Sequence, residues 1–292
     1  MEMEWIGRLN QAVSYIEDQL SGTIDYEQLG RIACCSSYHF QRMFGYIAGI
    51  SLSEYIRRRR MSLAAVDLLS GTKVIDVALK YGYSSPTAFN RAFQSVHELT
   101  PSQVRTENAV IKSYPPLTFK LTIKGATEMN YRIEKKEAFR IVGVSCSMDR
   151  DVEKNFQQVP KLWQQAAVSG LLMKLPLMMD SKVKGVLGVC ACGSQEAQWK
   201  YYLSVASTQP AGEDMEEYIV PAATWAVFPA HTAGEARDKN IQGLCQRIIT
   251  EWLPSSGYEY DNGPDIEVYL DNDPEDMHYE IWIPVVKKSD NA

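Results

Sequence analysis

Ser36-Ser37-Tyr38-His39-Phe40-Gln41-Arg42-Met43-Phe44 and Tyr81-Gly82-Tyr83-Ser84-Ser85-Pro86-Thr87-Ala88-Phe89-Asn90-Arg91-Ala92-Phe93 are two copies of one pattern, within units spanning Ile24 to Tyr46 and Lys73 to Val96. Each follows a short apolar stripe, Leu29, Ile32 and Ala33 in the first and Val74, Val77, Ala78 and Tyr81 in the second, at the spacing of an amphipathic helix. Ser36 is placed to cap the next helix of the first unit. Ser84 or Ser85 does so in the second, where Pro86 suits a first helical position and Gly82 permits the tight turn. Phe40, Met43, Phe44, Phe89 and Phe93 recur at three- and four-residue spacing and predict a core face, which leaves Gln41, Arg42, Asn90 and Arg91 opposite. A helix carrying Arg and amide side chains after a tight turn can enter the major groove and read base edges. The alternative, a plain helical bundle with a solvated polar face, does not account for the repetition.

Between the units, Leu52 to Leu69 reads as one helix, with Leu52, Tyr55, Ile56, Leu63, Val66 and Leu69 at helical spacing. At about 1.5 Å per residue it spans roughly 27 Å, against roughly 34 Å between successive major grooves on one DNA face. It is therefore expected to space two reading helices about one DNA turn apart. Arg57-Arg58-Arg59-Arg60 surrounds this helix, so it is no single phosphate-binding face, and both internal ion pairs and DNA backbone contacts are open to it. The chain as a whole has 30 Lys plus Arg against 36 Asp plus Glu, net -6, which excludes a general coat for nucleic acid. From Arg31 to Arg105, however, ten basic residues face four acidic ones. Attraction to phosphate is then local.

Together with Gly49-Ile50-Ser51-Leu52-Ser53-Glu54-Tyr55-Ile56-Arg57 and Leu99-Thr100-Pro101-Ser102-Gln103-Val104-Arg105, the two quoted stretches resemble the AraC/XylS family of bacterial transcription regulators. The resemblance covers residues 1–106 and implies an all-α DNA-binding domain with tandem helix-turn-helix units. It also implies base contacts by Tyr38, Gln41 and Arg42 in the first reading helix and by Pro86, Thr87, Asn90 and Arg91 in the second. Glu98 stands where Gly is common, and Cys34-Cys35 in the first turn is a second departure.

Length and composition, 292 residues with 45% hydrophobic and 23% charged, predict a soluble protein with more than one core. No apolar run approaches 18 residues and no secretory pattern opens the chain, so a cytoplasmic location is expected. Six cysteines fit reduced thiols there. Cys190-Ala191-Cys192 has no second ligand pair and reads as buried apolar side chains, and His39, His97, His231 and His278 are scattered. No metal and no cofactor are expected.

After Arg105 the grammar changes. Residues 107–126 read as a linker in which Pro115-Pro116 forbids a helix and Leu117, Phe119, Leu121 and Ile123 alternate as a strand. Residues 127–287 then carry a repeat of strand, helix, strand, strand: Phe139 to Cys146, Phe156 to Leu172, Val183 to Cys192 and Trp199 to Ala206, followed by Tyr218 to Phe228, Arg237 to Leu253, Asp265 to Leu270 and Tyr279 to Val286. Two such halves predict an α+β domain with a pseudo-twofold axis and a ligand cleft at the junction. Ile219-Val220-Pro221-Ala222-Ala223-Thr224-Trp225-Ala226-Val227-Phe228, Trp252-Leu253-Pro254-Ser255-Ser256-Gly257-Tyr258-Glu259, Pro264-Asp265-Ile266-Glu267-Val268-Tyr269 and Glu280-Ile281-Trp282-Ile283-Pro284-Val285 resemble the GyrI-like effector-binding domain. That resemblance implies a pocket for hydrophobic, often cationic molecules with an acid inside, here at Glu267. Ala223 stands where Gly is frequent and Trp225 where Tyr is frequent.

Strand alternation places Glu267 and Tyr269 on one face, opposite Ile266, Val268 and Leu270. Trp163, Trp225 and Trp282 are the aromatic residues expected beside that carboxylate, where rings and a carboxylate together would hold an organic cation. For Trp163 and Trp225 a plain core role is the competing reading, and for Glu267 an exposed strand carboxylate. The chain is thus expected to be a DNA-binding transcription regulator that senses a small hydrophobic effector. Its implied partners are double-stranded promoter DNA, that effector and RNA polymerase, with no membrane, and it would join the nucleoid when bound to DNA. The competing class is an enzyme, a hydrolase using Glu267 with Tyr269.

Overall fold

The computed structural model describes residues 2–106, 109–120, 128–180, 183–192, 198–232, 241–271, 273 and 275–288. The chain divides into two compact units, one of Met1–Ala33 with Ala48–Thr122 and one of Cys34–Ile47 with Ile123–Ala292.

Unit 1 is helical: α1 Glu2–Asp18, α2 Tyr26–Ile32, α4 Leu52–Leu69, α5 Val74–Lys80 and α6 Pro86–His97. Asp25 caps α2 by accepting from the Glu27 and Gln28 amides, and Ser51 caps α4 by accepting from Glu54. Ser85 caps α6 at Ala88, with Pro86 in the first turn. The core joins Met61, Ala64, Ala65 and Leu68 of α4 to Val77, Ala78, Tyr81, Phe89 and Phe93. The inward stripe of α4 is therefore not the one expected at its C-terminal end. Val66 and Leu69 are exposed, because Met61, Ala64, Ala65 and Leu68 already fill the three- and four-residue spacing that faces α5 and α6.

The four-arginine run is consumed inside the protein. Arg57 and Arg58 pair with Glu54, Arg59 forks onto Glu17, and Arg60 donates to the Leu20 and Gly22 carbonyls. Leu117 and Phe119 lie in no strand. Their backbone groups instead meet side chains of unit 1: Asn10 both donates to and accepts from Phe119, the Leu117 amide donates to the Tyr55 hydroxyl, and the Tyr114 amide donates to Ser62. A chain so satisfied needs no ladder partner. Leu121 and Ile123 lie outside the described residues.

Unit 2 is built on an antiparallel sheet of β1 Arg132–Lys136, β2 Phe139–Ser147, β3 Val186–Ala191, β4 Lys200–Ala206, β5 Glu216–Val220, β6 Ala223–His231, β7 Tyr258–Tyr260, β8 Asp265–Tyr269 and β9 His278–Lys287. Its order, β1-β6-β9-β8-β3-β4-β2-β5 with β7 beside β9, reads as two mirrored quartets meeting at the β3–β8 pair. This is the expected strand, helix, strand, strand repeat: β2, α7 Gln158–Val168 with α8 Leu171–Met178, β3, β4, and then β6, α9 Ile241–Arg247, β8, β9. Residues 237–240 of the second expected helix lie outside the described residues. The expected strand from Tyr218 to Phe228 is two strands. Pro221 lacks the amide to continue a ladder, so β5 ends at Val220 on the edge beside β2 while β6 pairs with β9. The strands β1 and β7 are additions to the expected repeat.

One sheet face buries Ile141, Leu187, Val189, Trp225, Val227, Ile266, Val268 and Trp282 together. Beyond the β sheet, α3 Ser37–Ala48 belongs to unit 2 as far as Ile47. Cys34 and Glu98 are the non-glycine residues with left-handed backbone among those described. Glu98 ends α6 at φ 61°, which explains the usual glycine there. Glu98→Gly is expected to stabilise the protein by about 0.5–1 kcal/mol, since relief of a left-handed conformation costing roughly 1–2 kcal/mol outweighs the entropy of glycine and the exposed pair with Lys112. Urea denaturation of both proteins measures it.

Candidate functional site

α6 presents the arrangement expected of a reading helix. Phe89 and Phe93 are fully buried on its inner side, while Pro86, Thr87 and Arg91 are exposed and Asn90 is half-buried. The cap on Ser85 fixes where this polar face begins.

The corresponding face of α3 is not presented to solvent. Ser36 accepts from the His39 amide as its cap, and the helix lies against β8 and the segment after β2 within unit 2. Tyr38 is buried edge-on to Trp199, at a ring separation of 5.5 Å. Gln41 donates to the Arg150 carbonyl at 2.8 Å and accepts from the Val152 amide at 3.2 Å. Arg42 donates to Asp265 at 2.8 Å and to the hydroxyls of Tyr38 and Tyr46. His39 reaches the other Asp265 oxygen at 3.1 Å and stacks on Tyr260. Burial alone would raise the Asp265 carboxyl, but the charge and hydrogen bond of His39 and the charge of Arg42 outweigh it and hold the group below the usual carboxylate range.

A second constellation sits two residues along β8. Glu267 accepts from Tyr269 at 3.0 Å and from Tyr201 at 3.3 Å, and Tyr201 in turn accepts from the Trp163 indole at 2.9 Å. Trp163 stands edge-on to Tyr269 at 4.7 Å. Burial pushes the Glu267 carboxyl up, and the Arg42 charge and the two phenol hydrogen bonds offset this only in part. Glu267, Tyr269 and Trp163 open onto a cleft of about 490 Å³ completed by Val159 and Leu172 of the first half and Ile241 and Tyr279 of the second. The cleft is at the junction of the halves, with a volume suited to a drug-sized molecule.

Trp225 and Trp282 do not join it. Trp282 pairs with Ile266 across β8 and β9, and Glu267 pairs with Ile281, so both tryptophans face the opposite side of the sheet. They are core, 0% and 3% exposed. Sequence reasoning missed Asp265, Tyr201 and His39. The parity that grouped Glu267 with Tyr269 puts Asp265 on the same face. Tyr201 had a signal in Gly188, which pairs with Glu267, because a glycine inside a strand often marks a close approach. The fold also brings two of the scattered histidines together: His231 and His278 are cross-strand partners whose rings stack at 5.6 Å, beside Asp276. The thiols of Cys190 and Cys192 are buried and unbridged.

Residues 129–286, more than half of the chain, match the GyrI-like small molecule binding domain. The chain belongs to the GyrI-like family. Residues 29–107 match a helix-turn-helix domain, which is of the AraC type. Over 98 residues this GyrI-like chain is 34% identical to the HTH-type transcriptional activator AarP of Providencia stuartii, covering 33% of this chain and 73% of that protein. It is 32% identical over 118 residues to the transcriptional regulator Rob of Salmonella typhimurium, covering 39% and 41%. It is 29% identical over 155 residues to the right origin-binding protein of Escherichia coli, covering 51% and 52%. The chain thus spans about half the length of the latter two relatives. It joins an AraC-type helix-turn-helix domain to a small-molecule-binding domain, and the relatives matched by the first of these are transcriptional regulators.

A Cβ at position 188 would lie 2.2 Å from the Tyr201 hydroxyl and 3.0 Å from Glu267. Gly188→Ala is therefore expected to break the Tyr201 to Glu267 hydrogen bond and to lower stability by about 1–3 kcal/mol through overpacking, as read by urea denaturation.

Proposed function

We propose that this regulator reads promoter DNA with Pro86, Thr87, Asn90 and Arg91 of α6 and with Tyr38, Gln41 and Arg42 of α3, and that its effector is a hydrophobic cation seated against Glu267. The effector reading rests on one observation: a desolvated carboxylate on the wall of a roomy, apolar cleft with Trp163 and Tyr269 beside it. Such a carboxylate lacks a full countercharge, and an organic cation supplies both charge and ring contacts. The DNA reading is supported by the exposed polar face of α6 and by the AraC-type match. RNA polymerase is the proposed partner at the promoter, and the cytoplasm, at the nucleoid, the proposed location.

If Arg91 reads a base edge, Arg91→Ala is expected to cost about 1–3 kcal/mol on a selected duplex and to relax preference at one position. An equal loss on random DNA would make it a phosphate contact. For the cleft, benzyltrimethylammonium is expected to bind more tightly than its neutral carbon isostere neopentylbenzene. Glu267→Gln is expected to weaken the cation by about 1.5–3 kcal/mol and leave the neutral compound unchanged, by calorimetry.

The pH dependence has a definite sign. The cation needs ionised Glu267, whose carboxyl is raised in the folded protein, so affinity is full well above that raised value and falls as pH drops through it. The fall is expected at higher pH than an ordinary glutamate gives, and to vanish in Glu267→Gln. Equal cation affinity of the two proteins at every pH would remove Glu267 from the site.

A further inference from the structure

Every base-reading group proposed for α3 is already engaged. Gln41 meets a carbonyl and an amide of residues 150–152 at once, the same acceptor and donor pair that a glutamine finds on an adenine edge. Arg42 has a carboxylate where DNA would offer a guanine edge or phosphate. We propose that the surface formed by Asp265, Trp199 and the backbone of residues 150–152 is an intramolecular docking site for α3, which competes with DNA, and that Arg42 is its built-in cation. This rests on the assignment of α3 as a reading helix and adds its regulation.

Glu267 links the dock to the effector. It lines the open cleft, and it also lines a small cavity of about 10 Å³ whose wall it shares with Arg42, Asp265, Cys190 and Cys245. That is room for about one water. A cation placed against Glu267 from the cleft therefore repels Arg42 across a single carboxylate and takes from it part of its negative surroundings. Effector and docked α3 oppose each other, and by linkage each weakens the other by the same factor.

Asp265→Asn in the full chain keeps the shape and removes the charge that holds Arg42. If docking hides α3, the apparent DNA affinity is reduced by the fraction undocked, so this variant is expected to bind its selected duplex at least about tenfold more tightly than wild type. Val152→Pro is the gentler variant. Val152 opens a helical turn behind Asp151, whose extended backbone suits a following proline; the substitution removes the amide donated to Gln41 and replaces a buried side chain of the Tyr38 and Trp199 cluster by an apolar ring of similar size. A gain of about two- to fivefold is expected from one hydrogen bond. Benzyltrimethylammonium is expected to raise wild-type DNA affinity and to leave Glu267→Gln unaffected. Wild-type affinity in both docking variants overturns the proposal. If Arg42→Ala changes nothing in the Asp265→Asn background, the assignment of α3 as a reading helix fails instead, while a cation-dependent rise in hydrogen exchange over residues 37–48 would still mark the dock.

A second site stands on separate geometry. His231 and His278 share a sheet face at the end of β6 and β9, with Asp276 oxygens 2.8 Å from His231 Nδ1 and 3.9 Å from His278 Nε2. Asp271 holds His278 Nδ1 at 2.8 Å and leaves Nε2 for a metal, since a carboxylate on one ring nitrogen fixes the tautomer and orients the other toward the ion. We infer a divalent transition-metal site of two imidazoles and one carboxylate, with an open coordination position. Zn²⁺ is expected to bind at one equivalent. His278→Gln or His231→Gln should weaken it at least tenfold and Asp271→Asn severalfold, by competition with a chromophoric chelator. Unchanged Zn²⁺ affinity in both histidine variants would exclude the site.

Discussion

The charge pair between Arg42 and Asp265 ties α3 to the sheet of unit 2. A carboxylate taken out of water is costly unless hydrogen-bonded and paired, and losing one partner of a buried pair leaves the other stranded. Asp265 has both oxygens engaged, one by Arg42 and one by His39. That arrangement requires α3 to lie where Ser36 caps it, Tyr38 to pack on Trp199, and Tyr260 of β7 to cover His39. The strand β7 and the helix α3 thus converge on one carboxyl group, and the segment after β2 holds α3 there through Gln41.

Much of this was legible in the sequence where periodicity and capping agree. α4 begins and ends as read, and Ser85 with Pro86 fixes the start of α6. The mirrored quartets follow from the order of apolar runs. The rest was hidden by register and by long range. Strand parity says which residues of one strand share a face, and it correctly joined Glu267 to Tyr269. It cannot say how two strands align, so it leaves Trp282 free to stand beside Glu267, whereas the ladder sets it opposite Ile266. Likewise Val66 and Leu69 have helical spacing but sit one position off the stripe that α5 and α6 cover. Leu117 and Phe119 alternate like a strand, yet their partners are side chains of helices more than fifty residues away in sequence. The fate of α3 was the least legible. Its polar face is equally suited to a base edge and to a backbone amide with a carbonyl.

Asp265 and Glu267 lie on one strand face, two residues apart, and their environments push them in opposite directions. Asp265 is held low by His39 and Arg42 against its burial, whereas Glu267 is raised by burial with only part of that offset. For Asp265 the depressed folded value means that its contribution to stability is present above the unfolded value and lost only as pH falls through the folded one. The group that holds α3 therefore stays charged over the range in which the group that faces the cleft changes. Two carboxylates with separated affinities for protons are also separated in their need for a countercharge. Asp265 is satisfied within the chain, Glu267 is left wanting, and Arg42 lies close enough to serve both in part. A ligand that completes Glu267 changes the field at Arg42 without touching it, and the coupling then requires no long pathway through the fold, only one shared carboxyl group and a helix whose polar face has two possible partners.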